Sequence, residues 1–256
     1  MKIVLTGCTG FVGTEILTQC IAHNYINHVY VLTRRPLNSQ FSHKKVTQIL
    51  HEDFEEYPDD LVNRLKDEGV EACIWAIGGK ANQFKNLDEA RRVGVNYPAQ
   101  AAEVFAKQLA TALKPYPGHP KNPPKPGEGR FPFRFVFISG WGACQDQFKR
   151  LWFMNDTRKI KGAAEKALLG VAANADDIEG HKCFETIVLR PGGVLAGGND
   201  DMMTVITEGM IPSIAVGRLA KTAIKCAFDG GVDGTTILEN KDCLGEGWAE
   251  VNSFRM

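Results

Sequence analysis

The stretch KIVLTGCTGFVG, residues 2–13, decides the fold. A short apolar run, KIVLT, ends in a turn whose glycines Gly7, Gly10 and Gly13 are spaced GxxGxxG, and a helical pattern follows from Thr14 to His23. Gly7 and Gly10 allow a tight turn that brings backbone N–H groups against a pyrophosphate, and Gly13 allows the helix to pack closely on the strand. Thr9, Phe11 and Val12 fill the positions between them. The helix N-terminus then faces the anion, where its dipole and its unpaired amides favour negative charge.

Outward from this loop, short apolar runs alternate with segments of helical length. The runs are HVYVLTR at 28–34, VTQIL at 46–50, VEACIWAIG at 70–78, FRFVFIS at 133–139, CFETIVLR at 183–190 and TTILEN at 235–240. That alternation predicts an α/β fold, a doubly wound Rossmann-type parallel sheet with helices on both faces. Residues 114–132 carry seven of the twelve prolines and read as a surface loop inserted before the fifth strand, because proline removes a backbone donor that helix and central strand both need. The strand beyond it continues the same sheet, so residues 1–256 read as one domain.

Lys plus Arg and Asp plus Glu are both 30, so the chain has no overall basic field to hold nucleic acid or an anionic membrane. A small-molecule partner is the expectation. The seven cysteines, an odd number without a CxxC spacing, argue against a disulfide framework and a zinc site, and the six histidines show no metal spacing. Reduced thiols, a start too short for a signal peptide and no membrane-length apolar run point to the cytoplasm. Oligomeric state is not readable.

The second strand ends in Thr33-Arg34-Arg35, about twenty residues beyond the glycines. An acidic residue there would bond a ribose 2′-hydroxyl and repel a 2′-phosphate, whereas an arginine fork favours the phosphate. Arg34 and Arg35 therefore point to NADP(H).

TGxTGxxG near the N-terminus resembles the extended and atypical short-chain dehydrogenase/reductases, including the NmrA-like group. The resemblance runs over nearly the whole chain. Asp53-Phe54 is similar to the acidic-aromatic pair that flanks adenine in that family, and Ala76-Ile77-Gly78 looks like the small-residue stretch beside the cofactor. Asn96, in VGVN, resembles the family's VN, and Arg190-Pro191-Gly192-Gly193-Val194 resembles the RPGxV turn near the nicotinamide.

The resemblance also implies a catalytic Tyr-xxx-Lys pair, in which the lysine lowers the phenol pKa and holds the ribose while tyrosine gives its proton. Here the matching stretch runs from Thr157 through Lys161 to Glu165, where the family reads YxxxKxxxE, so the lysine is kept and the tyrosine is Thr157. A threonine hydroxyl ionises far above a phenol's roughly 10 and is shorter by a ring. Thr157 reads either as a substrate contact or as a first-turn residue of the helix that Asp156 begins. The assisting serine falls on Ser139 or its place on Gly140, depending on alignment.

Without the phenol, ketone reduction lacks its proton donor. The expected acceptor is an imine, an iminium ion or a conjugated system, with Asp156 as the nearby carboxylate. Residues 197–256 are expected to cover the substrate, through a Met-rich segment at 197–214 and a tail bearing Trp248 and Phe254. Two other readings stay open: a cyclisation or isomerisation that keeps the cofactor without redox chemistry, and a silent NADP(H)-sensing regulator with a protein partner.

Overall fold

The computed structural model describes residues 1–113, 132–175, 182–197, 212–232 and 234–245. The Pro-rich stretch, except Pro132, lies outside the described residues. So do most of the Met-rich segment and the tail with Trp248 and Phe254.

Seven strands form one sheet. β1 (Lys2–Thr6), β2 (His28–Thr33), β3 (Val46–Leu50), β4 (Ala72–Trp75), β5 (Phe133–Ile138) and β6 (Phe184–Arg190) come first, then a two-strand interruption, β7 (Gly193–Leu195) and β8 (Ser213–Ala215), and finally β9 (Ile237–Glu239). The order is β3-β2-β1-β4-β5-β6-β9, every neighbouring pair is parallel, and β7 pairs with β8 in a ladder of its own. The short β7–β8 ladder has no counterpart in the sequence reading. Two three-residue strands carry too little periodicity to be seen.

Parallel strands covered on both sides need apolar residues at every position, which is why they read as uninterrupted apolar runs. Alternate residues feed two cores. Ile3, Leu5, Val29, Val31, Ile74, Val136 and Ile187 pack with α1 (Phe11–Ala22) and α6 (Val216–Asp229). On the opposite face, Val4, Leu32, Cys73, Trp75, Phe135 and Phe137 pack against α2 (Asp59–Asp67), α4 (Tyr97–Val104) and α5 (Asn155–Ala173). α3 (Leu87–Arg91) continues into α4 through a wider turn at Arg92–Asn96, and α7 (Asn240–Cys243) is one turn after β9. Among the described residues no helix is long and apolar enough to cross a membrane.

The chain winds away in opposite directions from β1 and β4, so a crevice opens at the carboxyl ends of those strands, where doubly wound sheets bind their ligands.

Candidate active site

Gly7, immediately after β1, has φ of +74°, and a Cβ there would lie 2.5 Å from the Ala76 backbone at the end of β4. A Cβ on Gly13 would come within 2.1 Å of the Gly7 carbonyl oxygen. These two glycines let loop, helix and neighbouring strand close on one another, while Gly10 donates its N–H to Gly7 O at 2.9 Å and closes the turn. Gly10 caps α1 without a side-chain bond, and no acidic residue stands in the first helical turn. Amides of that turn are thus left to an anion. Thr14 fixes the loop from behind, donating its hydroxyl to Cys8 O at 2.9 Å. Phe11 is half exposed beside the loop, and Val12 packs inward on the core.

A cavity of about 150 Å³ opens at this point, lined by Gly7 and Thr9, Leu32 to Arg35, Phe54, Ala76 to Gly78, and Tyr97. The carboxyl ends of β1, β2 and β4 and the loop after β3 meet there. Leu32, Thr33 and Tyr97 were not foreseen as lining residues. Thr33 is fixed by its hydroxyl, which donates to Arg35 O at 2.8 Å and accepts from Arg35 N at 3.3 Å. Both arginines are exposed at the cavity's rim, and neither guanidinium has a hydrogen bond or ion pair among the described residues. A pair of unengaged cations beside an uncapped helix start suits a ligand with separated phosphates.

Asp53 is not in this cavity. Its carboxylate accepts from Glu55 N at 2.9 Å and pairs with Arg92 at 3.6 Å, while Phe54 supplies the wall. Asn96 is likewise turned aside, donating to Glu55 Oε1 at 3.1 Å. Arg92, held by Glu55 at 2.7 Å, lies over the Tyr97 ring, so this acidic cluster braces the wall from outside.

Helix α5 delivers the family-like residues. Thr157, Lys161 and Glu165 are four apart and share a face. Lys161 Nζ donates to Ile138 O at 2.9 Å, lies over the Phe137 ring, and reaches Gly78, on which a Cβ would sit 2.9 Å from it. It therefore stands at the Gly78 end of the cavity. Burial pushes the Lys161 ammonium down to about 8, with Glu165 opposing the shift.

The hydroxyls of Ser139, read as the assisting serine, and of Thr157, read as a substrate contact or a first-turn residue, both have partners within the protein. Ser139 donates to Glu165 Oε1 at 2.5 Å beneath the helix, and Thr157 Oγ1 accepts from Ala81 N at 2.9 Å, tying α5 to the loop after β4. Glu165 is fully buried and also accepts a fork from Arg190, Nε at 2.9 Å and Nη2 at 2.6 Å. Those bonds hold the Arg190 guanidinium well above its ordinary value. Arg190 and Glu165 thus form an ion pair under the site, which their motif positions alone did not reveal.

Asp156 does not join Lys161. One residue before Thr157 is a 100° rotation about the helix, and it lines a separate groove of about 420 Å³ with Arg91, Asn96 and Lys159. The turn after β6 sits beside the loop after β5: Trp141 donates its N–H to Pro191 O at 2.7 Å. Gly192 is needed because a Cβ would meet Pro212 O at 1.8 Å, and buried Asn240 pins it by accepting Gly192 N–H at 2.7 Å. Gly193 and Val194 form β7. None of these four turn residues lines the cavity at the glycine loop.

No family model matches the chain. Over 106 residues it is 31% identical to leucinostatins biosynthesis cluster protein T of Purpureocillium lilacinum, a match covering 41% of this chain and 38% of that protein. Among solved structures, Gre2 of Candida albicans in complex with NADPH is similar at a TM-score of 0.63, with 13% identity over 93% of this chain and 77% of that one. A short-chain dehydrogenase of Burkholderia cenocepacia in complex with NADP gives 0.60, with 14% identity over 99% and 93%. The chain has the fold of these proteins.

Proposed function

We propose that the chain is an NADP(H)-dependent reductase of the short-chain dehydrogenase/reductase type, acting on a small, largely apolar organic molecule. One observation carries the reading: the glycine loop before an uncapped helix opens on a crevice with exposed Arg34 and Arg35 at its rim and Gly78, against which Lys161 stands, in its wall. The two TM-scores above 0.5, with Gre2 bound to NADPH and a short-chain dehydrogenase bound to NADP, support it. The residues fit a dinucleotide, since the loop, the start of α1 and the end of β4 close on one another as tightly as they do only because Gly7 and Gly13 lack a Cβ. When bound, the dinucleotide supplies hydride. The first-turn amides of α1 would hold its pyrophosphate, Arg34 and Arg35 the 2′-phosphate, and Lys161 the ribose next to the nicotinamide.

NADPH is expected to bind more tightly than NADH, because only its 2′-phosphate meets the arginines. Hydrogen bonds to charged groups contribute roughly 1.5–3 kcal/mol, so an Arg34→Ala/Arg35→Ala variant should lose about tenfold or more for NADPH and little for NADH. Calorimetry on the parent protein checks this, and equal affinities for the two cofactors would overturn the assignment.

Lys161→Met is expected to weaken NADPH binding by about tenfold on the same grounds while leaving the pH profile of any turnover nearly unchanged. The parent's affinity should also fall as pH rises through about 8, where the Lys161 ammonium loses its proton. In Lys161→Met that slope should vanish. A turnover profile that moves while affinity stays put would make Lys161 the acid–base group instead.

Ser139 already donates its proton to Glu165, and the Thr157 hydroxyl, which accepts from Ala81 N, is an alcohol that ionises far above a phenol's roughly 10, so neither replaces the tyrosine as a preset acid for an alkoxide. A ketone being reduced needs that proton, and positioned general acids contribute about 10²–10⁴-fold. A cationic iminium becomes a neutral amine and needs none at that step. Iminium ions, and imines that enter already protonated, should therefore be reduced faster than matched ketones in stopped-flow assays. Thr157→Ala should lose about 1 kcal/mol of stability through the orphaned Ala81 N–H and keep its activity. Ketone turnover that collapses in Thr157→Ala would show threonine to be the donor.

A further inference from the structure

Between β5 and α5 the chain makes a loop whose large side chains face outward. Phe148 is 95% exposed and Trp152 91%, and Phe153 is also exposed. A single exposed ring is ordinary, but three within six residues of one loop make an apolar feature that calls for a partner. Lys149 and Arg150 lie between them, exposed, with no hydrogen bond or ion pair among the described residues.

The loop is held in this shape by polar contacts at its base. Gln147 donates its side-chain amide to Cys144 O at 3.2 Å and Lys159 O at 3.1 Å, and Phe148 N–H is held by Asp146 at 2.9 Å. Arg158 bonds Gly142 O at 2.6 Å, and Met154 takes a left-handed φ of 47° to turn the chain into α5. The base is tied down and the rings are presented.

We propose that the Phe148–Phe153 loop is a docking surface for an anionic lipid bilayer. Aromatic rings prefer the headgroup level of a membrane, and flanking cations add attraction to acidic lipids. Charge complementarity argues for a bilayer over a second copy of the chain, since between the rings stand two exposed cations, Lys149 and Arg150, that a copy of the same loop would repel. The chain's overall neutrality leaves this local cluster as the element that recognises the surface.

The test is cosedimentation of the full chain with phosphatidylcholine vesicles, with and without phosphatidylserine, at low and high salt. The parent should pellet with the phosphatidylserine vesicles and be released by salt. Phe148→Ser/Trp152→Ser should cut the bound fraction by at least about tenfold, given roughly 150–250 Å² of ring surface each. Lys149→Gln/Arg150→Gln should weaken binding and flatten its salt dependence, and NADPH affinity, unchanged in both, would show that the variants fold. Failure of the parent to pellet, or undiminished pelleting of the aromatic variant, would overturn the proposal. So would a vesicle-free dimer in analytical ultracentrifugation that dissociates in that variant, which would make a second copy the occupant.

Discussion

A Glu165→Ala variant is expected to lose about 3–5 kcal/mol of folding stability, the cost of removing one partner from a buried ion pair. Glu165 is fully buried and takes two bonds from Arg190, one from Ser139 and one from Gln145 at 3.2 Å. Removing the carboxylate leaves a guanidinium, a hydroxyl and an amide facing an apolar gap. Arg190 also bonds Glu239 at 2.7 Å, but Glu239 is 44% exposed and can hold only the outer edge of the charge. Glu239→Ala should accordingly cost no more than about 1 kcal/mol. Urea denaturation of the two variants checks the contrast. Combining Glu165→Leu with Arg190→Met should recover much of the loss, because an apolar pair needs no compensation. A loss below about 1 kcal/mol in Glu165→Ala would mean that water reaches Arg190 and that this pair is not the keel of the site.

Gly13→Ala should abolish tight dinucleotide binding. The added carbon would lie 2.1 Å from Gly7 O and 2.5 Å from Gly7 C, both backbone atoms that no rotamer can move. Helix α1 must then lift from the loop, at about 1–3 kcal/mol of stability for an overpacked contact, and the amides of its first turn lift with it. Losing even one charge-assisted hydrogen bond to phosphate costs roughly 1.5–3 kcal/mol, so NADPH affinity should fall at least tenfold. Gly170→Ala is the control: it lies in α5 with no atom within 4 Å of the new carbon, and alanine should stabilise that helix by roughly 0.5–1 kcal/mol. Fluorescence titration of both variants separates a steric effect from a general sensitivity to glycine replacement. Parent-like affinity in Gly13→Ala would show that the loop relaxes sideways.

How much of this was legible in the sequence depends on how local each cause is. The strands were, because burial on both faces writes itself as a continuous apolar run, and the observed His28–Thr33 and Val46–Leu50 differ little from the runs that announced them. So was the glycine loop, whose requirement is set by neighbouring backbone. Asp156 could have been placed by helix phase, since it stands five residues before Lys161 and neighbours on one helix face are three or four apart. The fates of Ser139 and Asp53 could not. Ser139 meets its partner 26 residues along the chain, and Arg92 reaches Asp53 from another element altogether. Side chains that look available in a motif are committed by contacts that only the closed fold creates. Tyr97 was missed for the opposite reason, as a wall residue that carries no signature beyond following Asn96.

The paired strands β7 and β8 bracket the segment that follows the turn after β6. Gly193 is bonded to Pro212 at 2.8 Å and Asn240 donates to Ser213 O at 3.2 Å, so both ends of the intervening residues are clamped side by side, independently of what lies between. Where two ends are fixed in this way, each doubling of a flexible connection costs only about 0.6 kcal/mol. The frame is thus a cassette holder: a stretch between these two strands can be exchanged wholesale while the sheet and the glycine loop stay as they are.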